Sequence, residues 1–352
     1  MIKKRDLSIA LAVIVMFAAL IYAGRRERRP ILDRIGEVNL WPAVAASGIA
    51  ARPAAQDFPF RVDDQAEVLE TGLQDVRGLA CRDDDVYVAE GNGRVLKYPG
   101  NVRIVAPVTD AGEPVKIDLR GAAVHGDSLL LADFGRGIVV DRPAPPGDIR
   151  EQAISGKEIS GPCGIAVAAD GALFVTDDRP WPKPGSEAAF ETADCSRWLD
   201  KGSPRIFGSV FMAPAAAAPA PYSWTIVQTR LRHPSGIAAV GANGPVYLAE
   251  ADDTEVRWPV IEWSGTEWVQ RKALGSAPIE GRKLSPFLGV ALSPQGRFIF
   301  AAGPKGLYVF SRTSMLGQMV FEEPVGGVAA CGRTLYLTVG QRLCRIWLHK
   351  TA

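Results

Sequence analysis

GPCGIAVAADGALFVTDD, residues 161–178, holds a Gly-Ile-Ala-Val run, a turn at Asp170-Gly171 and a second apolar run closed by acids. Short apolar runs bounded by turn residues predict two buried strands of a hairpin. Cys163 stands directly before Gly164, where the first strand begins. The same pattern occurs five more times: RGLACRDDDVYVAE (77–90), RGAAVHGDSLLLAD (120–133), SGIAAVGANGPVYLAE (235–250), LGVALSPQGRFIFAA (288–302) and GGVAACGRTLYLTV (326–339). The shared glycines, Gly78, Gly121, Gly164, Gly236, Gly289 and Gly327, are spaced by 43, 43, 72, 53 and 38 residues. Recurrence at such periods is the mark of solenoids and propellers.

Further strand-like runs follow the paired ones. GRVLKY (93–98) and VRIVAPV (102–108) follow the first copy, and LYVFS (307–311) and QMVFE (318–322) belong to the fifth. Four short strands per copy, arranged radially, make a β-propeller blade, so six copies predict an all-β, six-bladed propeller of four-stranded blades. The chain ends support closure. The last copy stops at its third strand, RLCRIWL (342–348), while EVLET (67–71) is a spare strand ahead of the first copy. Placed on the last blade, EVLET would cover an edge otherwise open to aggregation. A long insertion, residues 178–203, follows the second strand of the third copy and is expected over the channel mouth.

The rest of the chain sets limits. Of 352 residues, 47% are hydrophobic, and the formal net charge is +1. That balance lacks the basic stripe a nucleic-acid binder needs. The three histidines, His125, His233 and His349, have no zinc-binding spacing. Residues 7–24, LSIALAVIVMFAALIYAG, form an uncharged apolar run long enough to cross a bilayer. It reads as an uncleaved transmembrane anchor, because its end matches a signal-peptidase site poorly. The expected organisation is an anchor over 1–24, a membrane-proximal linker over 25–60 and a propeller over 61–352. The propeller would lie on the extracytoplasmic side of a single-pass membrane protein.

The G-[ILV]-A-V strand and the [LV]-[FY]-[VL]-[AT]-[DE] strand that follows it resemble the six-bladed propellers of the NHL-repeat, gluconolactonase-like and strictosidine synthase-like groups. The likeness covers about residues 66–349, and the N-terminal apolar run is similar to that of membrane-anchored strictosidine synthase-like members. The gluconolactonase-like resemblance implies a divalent metal on the channel axis, held by Glu, Asn and Asp at the starts of inner strands; such oxygen donors suit calcium. The matching positions here are Arg77, Arg120, Cys163, Ser235, Leu288 and Gly326. None carries Asn, Asp or Glu, and Cys163 stands where the Asn would be. Calcium therefore does not fit, and no metal or other cofactor is expected.

Each candidate residue has a functional and a structural reading. Arg77 and Arg120 share a slot in adjacent blades and could bind a carboxylate or phosphate, or pair with Asp75 and Asp118. Glu90, Asp133, Asp177 and Glu250 end second strands. They could brace the following loops through backbone N–H groups, or one of them could be catalytic. His233 and Ser235 could form a base and hydroxyl pair, or simply belong to a loop. Cys163 and Cys195 could form a disulfide pinning the 178–203 loop, or remain packed thiols. Cys81 and Cys331 hold similar positions in neighbouring blades and are expected to lie too far apart to bridge. Two functions fit: a membrane-tethered binding module offering its channel face to a protein or small ligand, or a hydrolase or related enzyme with a divergent site.

Overall fold

The computed structural model describes residues 60–62, 66–100, 102–104, 117–143, 152–155, 158–178, 208–215, 222–231, 234–250, 260–264, 270–274, 288–293, 296–303, 306–311, 315–321 and 323–350. All fall within one unit, Leu40–Ala352. Two strands come first, β1 (Phe60–Val62) and β2 (Glu67–Thr71). Five antiparallel four-stranded blades follow. The first has β3 (Val76–Arg82), β4 (Asp85–Glu90), β5 (Val95–Tyr98) and β6 (Val102–Ile104). The second has β7 (Leu119–His125), β8 (Ser128–Asp133), β9 (Ile138–Pro143) and β10 (Gln152–Ala153). The third has β11 (Pro162–Val167), β12 (Leu173–Asp177), β13 (Gly208–Ala213) and β14 (Thr225–Leu231). The fourth has β15 (Pro234–Ala239), β16 (Val246–Glu250), β17 (Val260–Ser264) and β18 (Gln270–Leu274). The fifth has β19 (Gly289–Leu292), β20 (Ile299–Gly303), β21 (Gly306–Phe310) and β22 (Met315–Val320).

The chain ends build a closing sheet. β23 (Val325–Cys331), β24 (Thr334–Val339) and β25 (Arg342–Lys350) pair in turn. β2 then pairs with the first part of β25, Glu67 opposite Arg345, and β1 with its last part, Phe60 opposite Lys350. Arg345 bonds to Glu67 across this seam. The expected uniform set of six four-stranded blades is thereby corrected: five blades have four strands, and the closing sheet has five. The nine-residue β25 is long enough to take two partners along one edge, which a four-strand repeat does not anticipate.

Glycine explains how the inner strands approach one another. A Cβ on Gly78 would lie 2.9 Å from the backbone carbon of Gly121, and one on Gly121 would lie 2.5 Å from the Cys163 carbonyl oxygen. One on Gly164 would collide with the Ser235 carbonyl oxygen, and one on Gly236 would come 2.7 Å from the Cα of Gly289. Gly289 approaches Gly327, and Gly327 approaches Leu79 of the first blade. From the first blade to the fifth these approaches are mostly to backbone, at or under 3.0 Å, which leaves no room for a side chain; at the closing sheet Gly327 meets the Thr338 and Leu79 side chains at 3.2 and 3.3 Å.

Apolar packing fills the gaps between sheets. Tyr87 packs with Leu129 between the first and second blades, and Leu130 with Phe211 between the second and third. Phe174 packs with Leu248, and Tyr247 with Tyr308. Phe300 meets Leu337, and Tyr336 returns to Leu79 and Val88 of the first blade. Among the described residues there are six such clusters, one between each pair of neighbouring sheets. Burying one of these aromatic side chains stabilises the fold by about 1.5–3 kcal/mol.

Cys81 and Cys331 are disulfide-bonded with their Cα atoms 6.1 Å apart, which corrects the expectation that they are too distant. Arg82–Asp85 closes the first-blade hairpin, whereas Cys331–Thr334 closes that of the closing sheet. Cys331 is therefore one residue nearer its tip than Cys81. Successive side chains leave a strand on opposite faces, so this offset turns the two sulfurs into the same gap, beside Leu79 and Ala329. Residues 7–24 and the linker up to residue 59 lie outside the described residues. Among the described residues no helix is long and apolar enough to cross a membrane. The anchored, single-pass placement thus finds no support in the described structure.

Candidate active site

The strand-end acids act first on the backbone. The Glu90 carboxylate accepts the Gln74 N–H at 3.0 Å. Asp133 accepts the N–H groups of Asp118 and Arg136 at 3.1 and 3.2 Å and the Arg136 Nε at 2.5 Å. Asp177 accepts the N–H groups of Ser160 and Gly161 at 2.6 and 3.0 Å. All three carboxylates are buried. Each ties the segment entering its inner strand to the end of the second strand. The Glu250 side chain lies outside the described residues.

These braced segments carry the arginines. Arg77 bonds through Nε to Asp75 at 3.0 Å, at an exposed position. Arg120 is held more fully. Its Nε and Nη2 reach Asp118 Oδ2 at 3.0 and 2.9 Å, and its guanidinium lies 3.4 Å from the centre of the Phe134 ring. Its Nη1 reaches the Cys163 sulfur at 3.6 Å and lies 3.9 Å from Asp178 Oδ2. Burial alone would lower the Arg120 pKa; the bonds to Asp118 and the Cys163 contact outweigh it and raise the value above the ordinary one. The result is a permanently charged guanidinium in a fixed plane.

Cys163 is a buried free thiol, not a disulfide. Burial pushes its pKa up to about 12, Asp178 adds to the rise and Arg120 opposes it. It donates toward the Gly161 carbonyl at 3.6 Å. A thiol in that state is a poor nucleophile at neutral pH. Cys195 and His233 lie outside the described residues. Ser235 is described, and its hydroxyl donates to the Ala249 carbonyl at 3.3 Å. The structure thus brings Arg120, Cys163 and Asp178 together across the second and third blades, with Arg77 on the same cavity wall. Sequence reasoning missed Asp178 and Phe134. Asp178 is the second acid of the Asp177-Asp178 pair, and only the first lies within the repeat.

Arg77 and Arg120 line a narrow cavity of about 40 Å³ on the axis, together with Gly78, Gly121, Gly164 and Leu288. No group of three or more His, Cys, Asp or Glu placed to hold a metal occurs among the described residues. The inner-strand positions offer two guanidiniums, a protonated thiol and a committed hydroxyl. That set does not fit a hard divalent cation.

No protein-family model and no curated relative matches the chain. Solved structures do. A gluconolactonase from Xanthomonas campestris is 19% identical, with a TM-score of 0.62, covering 87% of this chain and 98% of that one. A second structure, provisionally assigned as a gluconolactonase, is 18% identical, with a TM-score of 0.58, covering 88% of this chain and 100% of the other. The PQQ-bound aldose sugar dehydrogenase of Streptomyces coelicolor is 16% identical, with a TM-score of 0.50, covering 85% and 100%. At these identities the likeness is one of fold. Two of the three are gluconolactonase structures, one of them provisionally assigned, and one is a sugar dehydrogenase; no anchored strictosidine synthase-like or NHL-repeat protein is among them. The expectation of a membrane-tethered binding module is corrected accordingly: no helix long enough and apolar enough to cross a membrane occurs among the described residues, and the solved structures that share the fold include gluconolactonase and sugar dehydrogenase structures.

Proposed function

We propose that the protein is a hydrolase of small cyclic esters that works at the channel mouth, with Arg120 in the role that a cation plays in gluconolactonase-like enzymes. The observation that carries this reading is the fixed Arg120 guanidinium, held by Asp118 and stacked on Phe134 beside the axis. Preorganised donors aimed at a developing oxyanion stabilise it without reorganisation. Arg120 Nη1 would donate to the ester carbonyl oxygen. Asp178, 3.9 Å from that nitrogen, would accept a proton from the attacking water. The carbon–oxygen ester bond then breaks, and the alkoxide takes the proton back, giving a hydroxy acid. Arg77 would seat the remainder of the substrate.

Hydrolysis of glucono-δ-lactone and γ-butyrolactone, followed by acid release, tests this. Arg120→Gln is expected to lower kcat by about 10²–10³-fold, with Arg120→Lys between it and the wild type. Equal kcat values in all three proteins would remove Arg120 from the mechanism.

A further inference from the structure

Beyond the glycine collar the channel widens into a second chamber of about 240 Å³, lined by three consecutive residues from each inner strand. Among the described residues, none of the lining side chains is charged; they are Ala, Val, Leu, Ile and the disulfide-bonded Cys81. The walls are nonetheless polar. Each inner strand ends its sheet, so its second edge has no strand partner. Hairpin register identifies the groups on that edge. Arg82–Asp85, His125–Ser128 and Cys331–Thr334 are the pairs that close two-residue turns. Alternate residues of an antiparallel strand turn their N–H and C=O groups away from the partner. Leu79 and Cys81, Ala122 and Val124, and Val328 and Ala330 therefore direct backbone donors and acceptors toward the axis.

We infer that this chamber is a binding site for a small, uncharged polyol, of the size of a sugar ring. Three properties select that class. The volume is far larger than a single water needs and admits a molecule of sugar-ring size. An ion would lose hydration without meeting an opposite charge. A purely apolar molecule would leave the strand-edge amides unpaired. A neutral polyol offers hydroxyls to those amides and C–H faces to the intervening alanine and valine side chains. The chamber lies on the far side of the collar from Arg120, so this inference does not rest on the hydrolytic reading.

The test is NMR titration of the full chain, labelled at alanine and valine methyls, with methyl α-D-glucopyranoside, sodium gluconate and benzene as separate probes. The glycoside is expected to shift the Val124, Ala166, Ala239 and Ala330 methyls, which line this chamber and not the Arg120 cavity, saturably and more tightly than either other probe. Ala239 and Ala330 are half-buried at the chamber wall, where they also pack against the neighbouring inter-sheet clusters, so Ala239→Phe and Ala330→Phe should narrow the chamber and weaken binding by about tenfold or more. Each variant's folding is checked by circular dichroism. If one misfolds, the other decides; if both do, the order of the three probes on the wild type decides. Absence of saturable shifts, equal binding in a folded variant, or preference for gluconate or benzene would overturn the inference. Arg120→Gln should leave glycoside binding unchanged, which separates this result from the fate of lactone hydrolysis.

Discussion

Thr176 donates its hydroxyl hydrogen to the Ser235 carbonyl at 2.6 Å while accepting the Gly164 N–H at 2.7 Å, and so ties the third blade to the fourth at the collar. Thr338 lies in the corresponding place in the closing sheet, against Gly327, but its buried hydroxyl has no partner among the described residues. Valine at the two positions should therefore act differently. Thr176→Val leaves a buried donor and a buried acceptor unmatched and should destabilise by about 1–3 kcal/mol. Thr338→Val removes an unsatisfied group and should be neutral or stabilising. Urea denaturation of both variants checks this; equal losses would refute it.

The disulfide links residues 250 apart in sequence. In the chain-entropy model a loop of that length is worth about 5 kcal/mol. Cys81→Ser should lower stability by roughly 2–5 kcal/mol, and wild type treated with reductant should show a similar loss. Peptide mapping should find Cys81 and Cys331 alkylated only after reduction. Alkylation of both without reductant would show that the ring closes without the bond.

Glycine substitutions separate crowding from backbone conformation. Gly164→Ala places a Cβ onto the Ser235 carbonyl, and backbone cannot yield as a flexible side chain does. A loss above about 4 kcal/mol, or failure to fold, is expected. Gly72 has open space around it but a φ of +73°, so Gly72→Ala should cost only about 1–2 kcal/mol. Thermal melts that rank the two the other way would contradict the collar.

The Cys163 thiol gives a pH signature. Its pKa rises from 9.0 to about 12 on folding, chiefly through burial. The folded state therefore favours the protonated form. This contribution is present in full below pH 9 and declines as pH rises from 9 to 12, because the unfolded chain ionises first. Cys163→Ala should flatten the loss of stability over that window. An unchanged alkaline slope would show that the thiol ionises as readily folded as unfolded.

Much of the scaffold was legible in the sequence because the collar demands glycine, and the same six glycines set the register of every inner strand. The spare strand Glu67–Thr71 was legible for a related reason: the last copy runs out one strand short. The Cys81–Cys331 bond was hidden by a one-residue hairpin offset, which decides the face each side chain takes but barely alters spacing. β1 was hidden because Phe60–Val62 lies ahead of any repeat. At the mouth, Arg77 and Arg120 were visible as a shared slot. Their different fates were not, because Phe134 and Asp178 reach Arg120 from loops beyond the repeat. The sequence offers Cys163 as a bridge or as packing; its contact with Arg120 joins two blades and leaves no local pattern.

The direct test of a cation-free centre at Arg120 is lactone turnover by purified wild-type protein before and after exhaustive chelation, with bound metal measured in the same samples. The same kcat/KM in both, with no stoichiometric divalent metal, is expected of a cation-free centre. Activity lost on chelation and restored by added calcium would contradict it.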